Sequence, residues 1–469
     1  MAAGVRPAVG LRSLAVLSRR LCPGEVLIAL GHQHRPSSSA SATPHRRHPG
    51  ISALGTLRLP EALRQAAQLR LHANPINCLE ENARDLTNFL WSRQRAVEDV
   101  ELRARARGLA KKFQEDTECD EIDQDSRELQ AGEEERQERL RHQVLAELRR
   151  TIPRWKAVSY DARLSHVYLA ARLDGGYAAV TRVLHEIKKR VPEFEPSTLL
   201  DFGSGTGTVA WAGRRAWGAS LREIVCVDTS PPMHQLADFL MRGGSDVETE
   251  HSRGVYFRHF LPVSPKVKFD LVVSAYSLSE LPTCADRCRV LETLWRKTQG
   301  FLVLIENGTR DGHQILMEAR NLVLTADVEP FGHVFAPCSH DLACPKLAGS
   351  VPQPCNFSQA YHPLPFSWNP GVKQELFSYL VLRRGARVEG EDWPRVIRPV
   401  LCRPRHVHTH LCCPDGTLQH LVLTSCKSGR DRYRWARNCS WGDRLPTPSS
   451  EVTAADGSQI ASGVSGTEP

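Results

Sequence analysis

Thr198-Leu199-Leu200-Asp201-Phe202-Gly203-Ser204-Gly205-Thr206-Gly207-Thr208 reads as a short buried strand that runs straight into a glycine-rich turn and then a helix. Doubly wound α/β folds build the floor of a nucleotide or nucleoside pocket from this unit, because backbone N–H groups at the turn and the helix start can face a ligand. Gly203, Gly205 and Gly207 fall at every second position. The dinucleotide fingerprint G-x-G-x-x-G needs a glycine at its sixth position, where this chain has Thr208.

Asp201, two places before the first glycine, is the acidic residue typical of the S-adenosylmethionine-binding version of the unit. Asp228 closes the next strand, about twenty residues beyond the turn, where a carboxylate bonds the ribose hydroxyls of such a cofactor. Gly203, Ser204 and Gly205 are expected to bring backbone N–H groups to the methionine moiety, while Asp201 offers the sulfonium a favourable charge at a distance. Tyr276 and Ser277, at the carboxyl end of a later strand, are expected to line the same crevice. Together with Gly207 these residues form the expected S-adenosylmethionine site.

Working outward, strand and helix signals alternate. Strands are expected at Thr198–Phe202, Glu223–Val227, Phe269–Ser274 and Phe301–Ile305. Helices are expected through Val209–Ala212, after Ser230-Pro231-Pro232 and over Asp286–Thr298, proline being tolerated in a first helical turn. The alternation predicts a mostly parallel, doubly wound sheet, an α/β fold with a Rossmann-like core. Upstream, residues 60–150 carry heptad-like leucines and dense charge; the run Glu115–Glu138, with twelve acidic residues, reads as a solvated face. Two helices are expected between Ala157 and Val191, with Gly175-Gly176 as the turn between them. Beyond a helix at Gly312–Leu324 comes a cysteine- and proline-rich stretch, Cys338–Pro370, then a strand at Leu376–Leu382 that returns to the sheet. Short strands follow at His406–Leu411 and Leu418–Thr424. The expected organisation is therefore a segment apart at 1–50, a helical region at 51–192, the Rossmann-like core at 193–335, a mainly β cysteine-containing module at 336–445 and an aperiodic tail at 446–469.

The first 50 residues hold seven arginines against a single acid, Glu25, and a serine run at Ser37–Ser39. Arginine-rich, serine-containing and acid-poor is the pattern of a mitochondrial presequence, so the matrix is the expected destination. In the whole chain of 469 residues the formal charge is +8, a modest hint of an anionic partner. No apolar run reaches the roughly 18 residues of a membrane span, and none is expected.

Methyl transfer does not follow from a cofactor pocket. Enzymes that methylate exocyclic amines often end the strand before the acceptor with Asn/Asp-Pro-Pro-aromatic, whereas this chain reads Ser274-Ala275-Tyr276-Ser277. Cys284 and Cys288 lack a Pro-Cys signature and read as packing residues, so no catalytic residue is assigned. Cys338, Cys344, Cys355 and Cys412 can together make a tetrahedral thiolate set, suited to zinc or to an iron–sulfur cluster. Cys413 points to the opposite side of its strand from Cys412, and His406, His408 and His410 read as a surface face. Residues 395–444 hold ten Lys or Arg against three Asp, with Arg430, Arg432, Arg434 and Arg437 interleaved with Tyr433, Trp435 and Trp441. That mixture combines phosphate contacts with stacking surfaces, a pattern suited to RNA.

On Leu199–Gly207, Ile305-Glu306-Asn307-Gly308-Thr309, Ala336-Pro337-Cys338-Ser339-His340, Cys344-Pro345, Arg403-Pro404-Arg405 and Leu411–Gly416, the chain resembles the mitochondrial methyltransferase-like family related to a yeast mitochondrial small-subunit ribosomal protein. The resemblance covers roughly residues 150–445. It implies a mitochondrial small ribosomal subunit assembly factor that binds the ribosomal RNA and works beside ribosomal proteins and other assembly factors. It also implies a 4Fe–4S cluster on Cys338, Cys344, Cys355 and Cys412, and a methyltransferase fold kept without transfer activity. The competing expectation is an active S-adenosylmethionine-dependent methyltransferase of small-subunit ribosomal RNA.

Overall fold

The computed structural model describes residues 45–120, 131–152, 155–218, 220–245, 247–325, 331–349, 352–369, 371–388 and 392–446. Most of the presequence-like segment, the middle of the acidic run and nearly all of the tail lie outside the described residues. The chain is already packed at the end of the basic segment: a short 3-10 turn at His45–Arg47 is followed by fully buried His48.

Helices α1 (Glu61–Ala73), α2 (Leu79–Ser92), α3 (Asp99–Asp120) and α4 (Ala131–Thr151) precede the long helix α5 (Ala162–Arg190). Asp161 starts α5 by accepting the Leu164 N–H, the side-chain cap that satisfies an otherwise orphaned donor. The core then runs β1 (Thr198–Phe202), α6 (Thr208–Trp217), β2 (Glu223–Val227), α7 (Pro231–Met241), β3 (Val255–Arg258), β4 (Phe269–Ala275), α8 (Cys284–Lys297), β5 (Thr298–Asn307) and α9 (Arg310–Leu324). Ser230 caps α7 ahead of Pro231, and Thr283 and Thr309 cap α8 and α9 in the same way.

Strands β6 (Gly332–Ala336), β7 (Phe357–Tyr361) and β8 (Lys373–Arg384) complete an eight-stranded sheet of order β3-β2-β1-β4-β5-β8-β6, with β7 also pairing β8. The first five positions are parallel and β8 is antiparallel to β5. Alternation along each strand feeds two cores. Leu199, Ile224, Leu271 and Val303 pack under α1, α5, α6 and α7, whereas Leu200, Val225, Val272 and Leu302 pack under α8 and α9. This is the doubly wound α/β class expected from the sequence, with a Rossmann-like core.

One correction concerns α5. Gly175-Gly176 does not break it; the helix is continuous through both residues. A Cβ on Gly175 would stand 2.5 Å from Glu375 Oε2, so the glycine serves close approach of β8 rather than a turn.

A second, smaller sheet holds β9 (Arg395–Val396), β10 (Leu401–Cys402), β11 (His406–Cys412) and β12 (Leu418–Thr424). Helix α10 (Arg430–Asn438) closes it, where the sequence analysis gave only a basic segment interleaved with aromatic residues. Ala436 and Cys439 pack there on Val407, Leu411 and Leu423. Ser52 and Ala53 donate their N–H groups to Asp443 Oδ1 at 2.7 and 2.8 Å, which ties the first described segment to this module. No helix among the described residues is long and apolar enough to cross a membrane.

Candidate functional site

The parallel strands end in a cavity of about 450 Å³ bordered by Gly203, Gly205, Asp228, Tyr276 and Ser277. It lies where ligands bind in open α/β sheets, outside the carboxyl ends of the strands. Gly203, Gly205 and Gly207 all have positive φ, at 72°, 47° and 76°, which is why the turn alternates glycine with other residues. A Cβ on Gly203 would meet Ser277 Oγ at 2.1 Å, whereas one on Gly205 would find nothing closer than 4.0 Å. Gly205 is thus the open floor of the cradle, and Gly203 is the point where the turn presses on β4.

The backbone donors are used differently from the expectation. The Gly203 and Ser204 N–H groups donate to the Val227 carbonyl at 2.7 and 3.0 Å, and the Gly205 N–H donates to Asp228 Oδ2 at 2.9 Å. The other Asp228 oxygen accepts the Ser230 N–H at 2.9 Å, so the carboxylate is fixed at the mouth of the cavity between two elements. Asp201 lies deeper and is fully buried. Burial, with the charge of Asp228, pushes its carboxyl well above the usual range, and neither oxygen has a hydrogen-bond partner. Burial therefore disfavours the charged form on which its expected role toward the sulfonium depends. Ser204, whose hydroxyl is likewise buried without a partner, borders a small space beneath the turn together with Gly176 and Thr208.

Tyr276 holds a left-handed backbone, φ 59°, uncommon for an aromatic residue. Its hydroxyl donates to Glu375 Oε1 at 3.0 Å, and its ring lies under the Arg172 guanidinium, 4.9 Å away. Arg172 and Glu375 form an ion pair at 2.8 Å with both side chains nearly enclosed. Ser277 Oγ contacts the Phe202 and Ala275 carbonyl oxygens, each at 3.0 Å. Tyr160, Tyr168 and Arg172, from α5 and the turn before it, add an aromatic and cationic wall that the sequence reading missed. The signal available was limited to Asp161, whose side chain caps the start of α5 next to these residues.

The second group is the cysteines. Cys338 follows β6, Cys355 precedes β7, Cys344 lies between them and Cys412 ends β11. The fold brings the four within electrostatic reach of one another. Burial raises the Cys412 thiol, and Cys338, Cys355 and Cys344 add to the effect. Burial and Cys344 push Cys338 up to about 11; Cys355 is pushed up to about 12 by burial, with Cys338 and Cys344 contributing and Lys346 opposing. Arg395 fixes the neighbouring backbone by donating to the Pro337 carbonyl at 2.7 Å, and Arg320 donates to the His340 carbonyl at 3.2 Å. His340 Nε2 lies 3.4 Å from Cys412 Sγ. Cys413 is turned into the apolar core of the small module. Among the described residues, no three His, Cys, Asp or Glu side chains converge closely enough to hold a single metal ion.

Fold and cavity together define a class, a Rossmann-like protein of the methyltransferase type with a cysteine-containing module added to its sheet. Residues 162–446 match the family described as mitochondrial small ribosomal subunit Rsm22, and the chain belongs to that family. It is 50% identical to "Ribosome assembly protein METTL17, mitochondrial" of Homo sapiens, over 97% of this chain and 96% of the human one. It is 25% identical to "Rsm22-cox11 tandem protein 2, mitochondrial" of Schizosaccharomyces pombe, over 61% of this chain and 44% of the yeast one. A crystal structure of the magnesium protoporphyrin IX methyltransferase of Synechocystis with bound S-adenosylmethionine is similar at a TM-score of 0.29 and 13% identity, over 49% of this chain and 100% of the other.

Proposed function

We propose that this protein is an assembly factor of the mitochondrial small ribosomal subunit that acts in the matrix by binding the subunit's ribosomal RNA, and that mitochondrial translation depends on it. The observation that carries this reading is the near full-length relationship to a mitochondrial ribosome assembly protein. Helix α10 supports the RNA part: Arg430, Arg434 and Arg437 are exposed, and the 3-10 turn with exposed Arg46 and Arg47 packs beside it. Two basic segments nearly 400 residues apart in sequence thus share one surface, suited to a phosphate backbone. Sedimentation of tagged protein with small-subunit precursors from mitochondrial lysate tests it; protein found only in the free fraction overturns it.

The cavity suits S-adenosylmethionine: Asp228 lines it just beyond β2, Gly205 leaves open floor, and Asp201 and Ser204 keep buried polar atoms without partners. Methyl transfer is not part of this reading, because the polar groups at the end of β4 are engaged by the fold, Tyr276 by Glu375 and Ser277 by backbone carbonyls. Labelled S-adenosylmethionine incubated with purified precursors decides between a binder and a ribosomal RNA methyltransferase.

Cys338, Cys344, Cys355 and Cys412 fit a 4Fe–4S cluster by donor chemistry, four thiols with Arg320 and Arg395 nearby to offset their charge. A cluster supplies a cross-link between the segment from β6 to β7 and the end of β11. The chain's own residues hold the frame for it, through Arg395 on Pro337 and Arg320 on His340. Anaerobic purification with iron and sulfide analysis tests this; stoichiometric zinc in a colourless protein overturns it.

A further inference from the structure

β11 and β12 carry four histidines that the reading above leaves unused. Side chains alternate along β11, so His406, His408 and His410 share one face while Val407 and Leu411 turn into the core under α10. His420 stands directly opposite His410 on β12. The rings form one series: His406 edge-on to His408 at 5.0 Å, His408 against His420 at 5.3 Å, and His420 stacked on His410 at 4.3 Å with planes 10° apart. His408 Nδ1 and His420 Nε2 lie 3.2 Å apart and share a hydrogen bond. Val422 pairs with His408 and Leu418 with Cys412 across the strands, and both are about half exposed.

The surroundings are cationic. Desolvation, His406, His420 and Arg403 lower the proton affinity of His408, so Arg403 lies near the series. The Ile397 N–H donates to the His410 carbonyl at 2.9 Å and the Arg403 N–H to the His406 carbonyl at 2.9 Å, which sets exposed Arg398 and Arg403 beside the series. None of the residues of β9–β12 is acidic. A solvated strand face carries mixed charge, whereas this one offers aromatic and aliphatic surface with cations at its border.

We infer that this face is a platform for single-stranded RNA: bases stack on the imidazole series and on Val422, and Arg398 and Arg403 take the phosphates. The inference rests on the RNA reading above and locates a second contact on the side of the small sheet opposite α10. A single strand is required because a flat sheet face meets base faces, which are available only when bases are unstacked. Imidazoles are adequate platforms, since stacking needs a planar ring and no particular hydrogen-bond code.

The test is fluorescence anisotropy with the full chain and a labelled RNA of about ten nucleotides, single-stranded or paired into a duplex, at several salt concentrations. The expected result is tighter binding of the single strand. H408A/H420A should weaken it about tenfold, without altering the slope of log affinity against log salt, and H408F/H420F should restore most of the loss. R403A should lower that slope. The phenylalanine variant also guards against misfolding, because it keeps the ring. Equal binding by wild type and H408A/H420A overturns the platform while leaving the RNA reading in place. No RNA binding by the wild type overturns the RNA reading itself. Failure of H408F/H420F to restore binding, with loss on chelation and recovery on adding zinc, assigns the imidazoles to a metal ion and overturns stacking.

Discussion

Glu186 on α5 and Arg395 on β9 stand 2.7 Å apart, with side chains only 1% and 2% exposed. The same guanidinium donates to the Pro337 and Gly442 carbonyls at 2.7 Å each, and the Tyr379 hydroxyl donates to the other Glu186 oxygen at 2.8 Å. This one group joins the long helix, the main sheet, the loop that carries Cys338 and the small module. Burial opposes the Glu186 charge, but Arg395, Arg190 and Arg182 hold its carboxyl well below the usual range.

Breaking that pair from one side leaves a buried charge without its closest partner. R395M should therefore lower stability by about 3–5 kcal/mol, while E186L/R395M should cost clearly less than the sum of the two single changes. Urea denaturation of the four proteins measures the coupling. A strictly additive result means that the two residues act independently.

The first two glycines of the turn should separate folding from ligand binding. G203A forces a side chain against Ser277 and should give poorly folded protein, costing about 2–4 kcal/mol. G205A has space and pays only the left-handed backbone, about 1 kcal/mol, but raises the cavity floor. Thermal melts with calorimetric titration of S-adenosylmethionine should show G205A folded with binding weakened at least about tenfold, as for a lost ligand contact. Unchanged affinity would remove the turn from the site.

Asp228 accepts from Gly205 and Ser230 and is the carboxylate nearest the expected ribose. D228N keeps the shape but loses an ionised acceptor, whose hydrogen bonds are worth about 1.5–3 kcal/mol. Affinity for S-adenosylmethionine should fall by about one to two orders of magnitude. Retained affinity would count against the cavity as its site.

Glu306, at the end of β5, is fully enclosed and accepts from the Leu278 N–H at 2.9 Å. Burial raises its carboxyl to about 7. A folded-state value above the unfolded one means that the native state holds the proton more tightly. Its contribution, on the order of 3 kcal/mol, is therefore complete below about pH 4.5 and is lost as pH rises through about 7. E306Q should flatten the stability profile across that window relative to the native chain. Parallel profiles would show that Glu306 titrates normally.

Cys412 and Cys413 are neighbours with opposite surroundings, one beside the other three thiols and one in an apolar core. C412A should lower iron per chain after anaerobic purification, whereas C413A should keep the iron and lose about 1–2 kcal/mol through lost packing. Equal iron in C412A and the native chain would exclude Cys412 as a ligand.

Much of the core was legible because its signals are local. Thr198–Thr208, Ser230-Pro231-Pro232 and the apolar run at Phe301–Ile305 each specify an element from within a few residues. Strand β3 was not legible, since Val255–Arg258 is a four-residue edge with half its side chains exposed. Gly175-Gly176 misled for a different reason: glycine marks both turns and close approaches, and only the position of Glu375 on β8 shows which applies. Arg172, Glu375 and Arg395 carry no local signal, because their partners lie 203 and 209 residues away in sequence.

What the sequence alone determined is the alternating order of strands and helices, the glycine turn with Asp228 after it, and the set of thiols capable of ligation. These depend on backbone preference and side-chain chemistry, which each residue carries with it. What the tertiary structure decided is which groups meet: the turn N–H groups on Val227 and Asp228, Asp201 buried without a hydrogen-bond partner, Arg395 locked on Glu186, and four imidazoles gathered on one face. Burial sets whether a charge survives, and strand pairing sets which distant residues become neighbours. Neither quantity exists until the chain has folded.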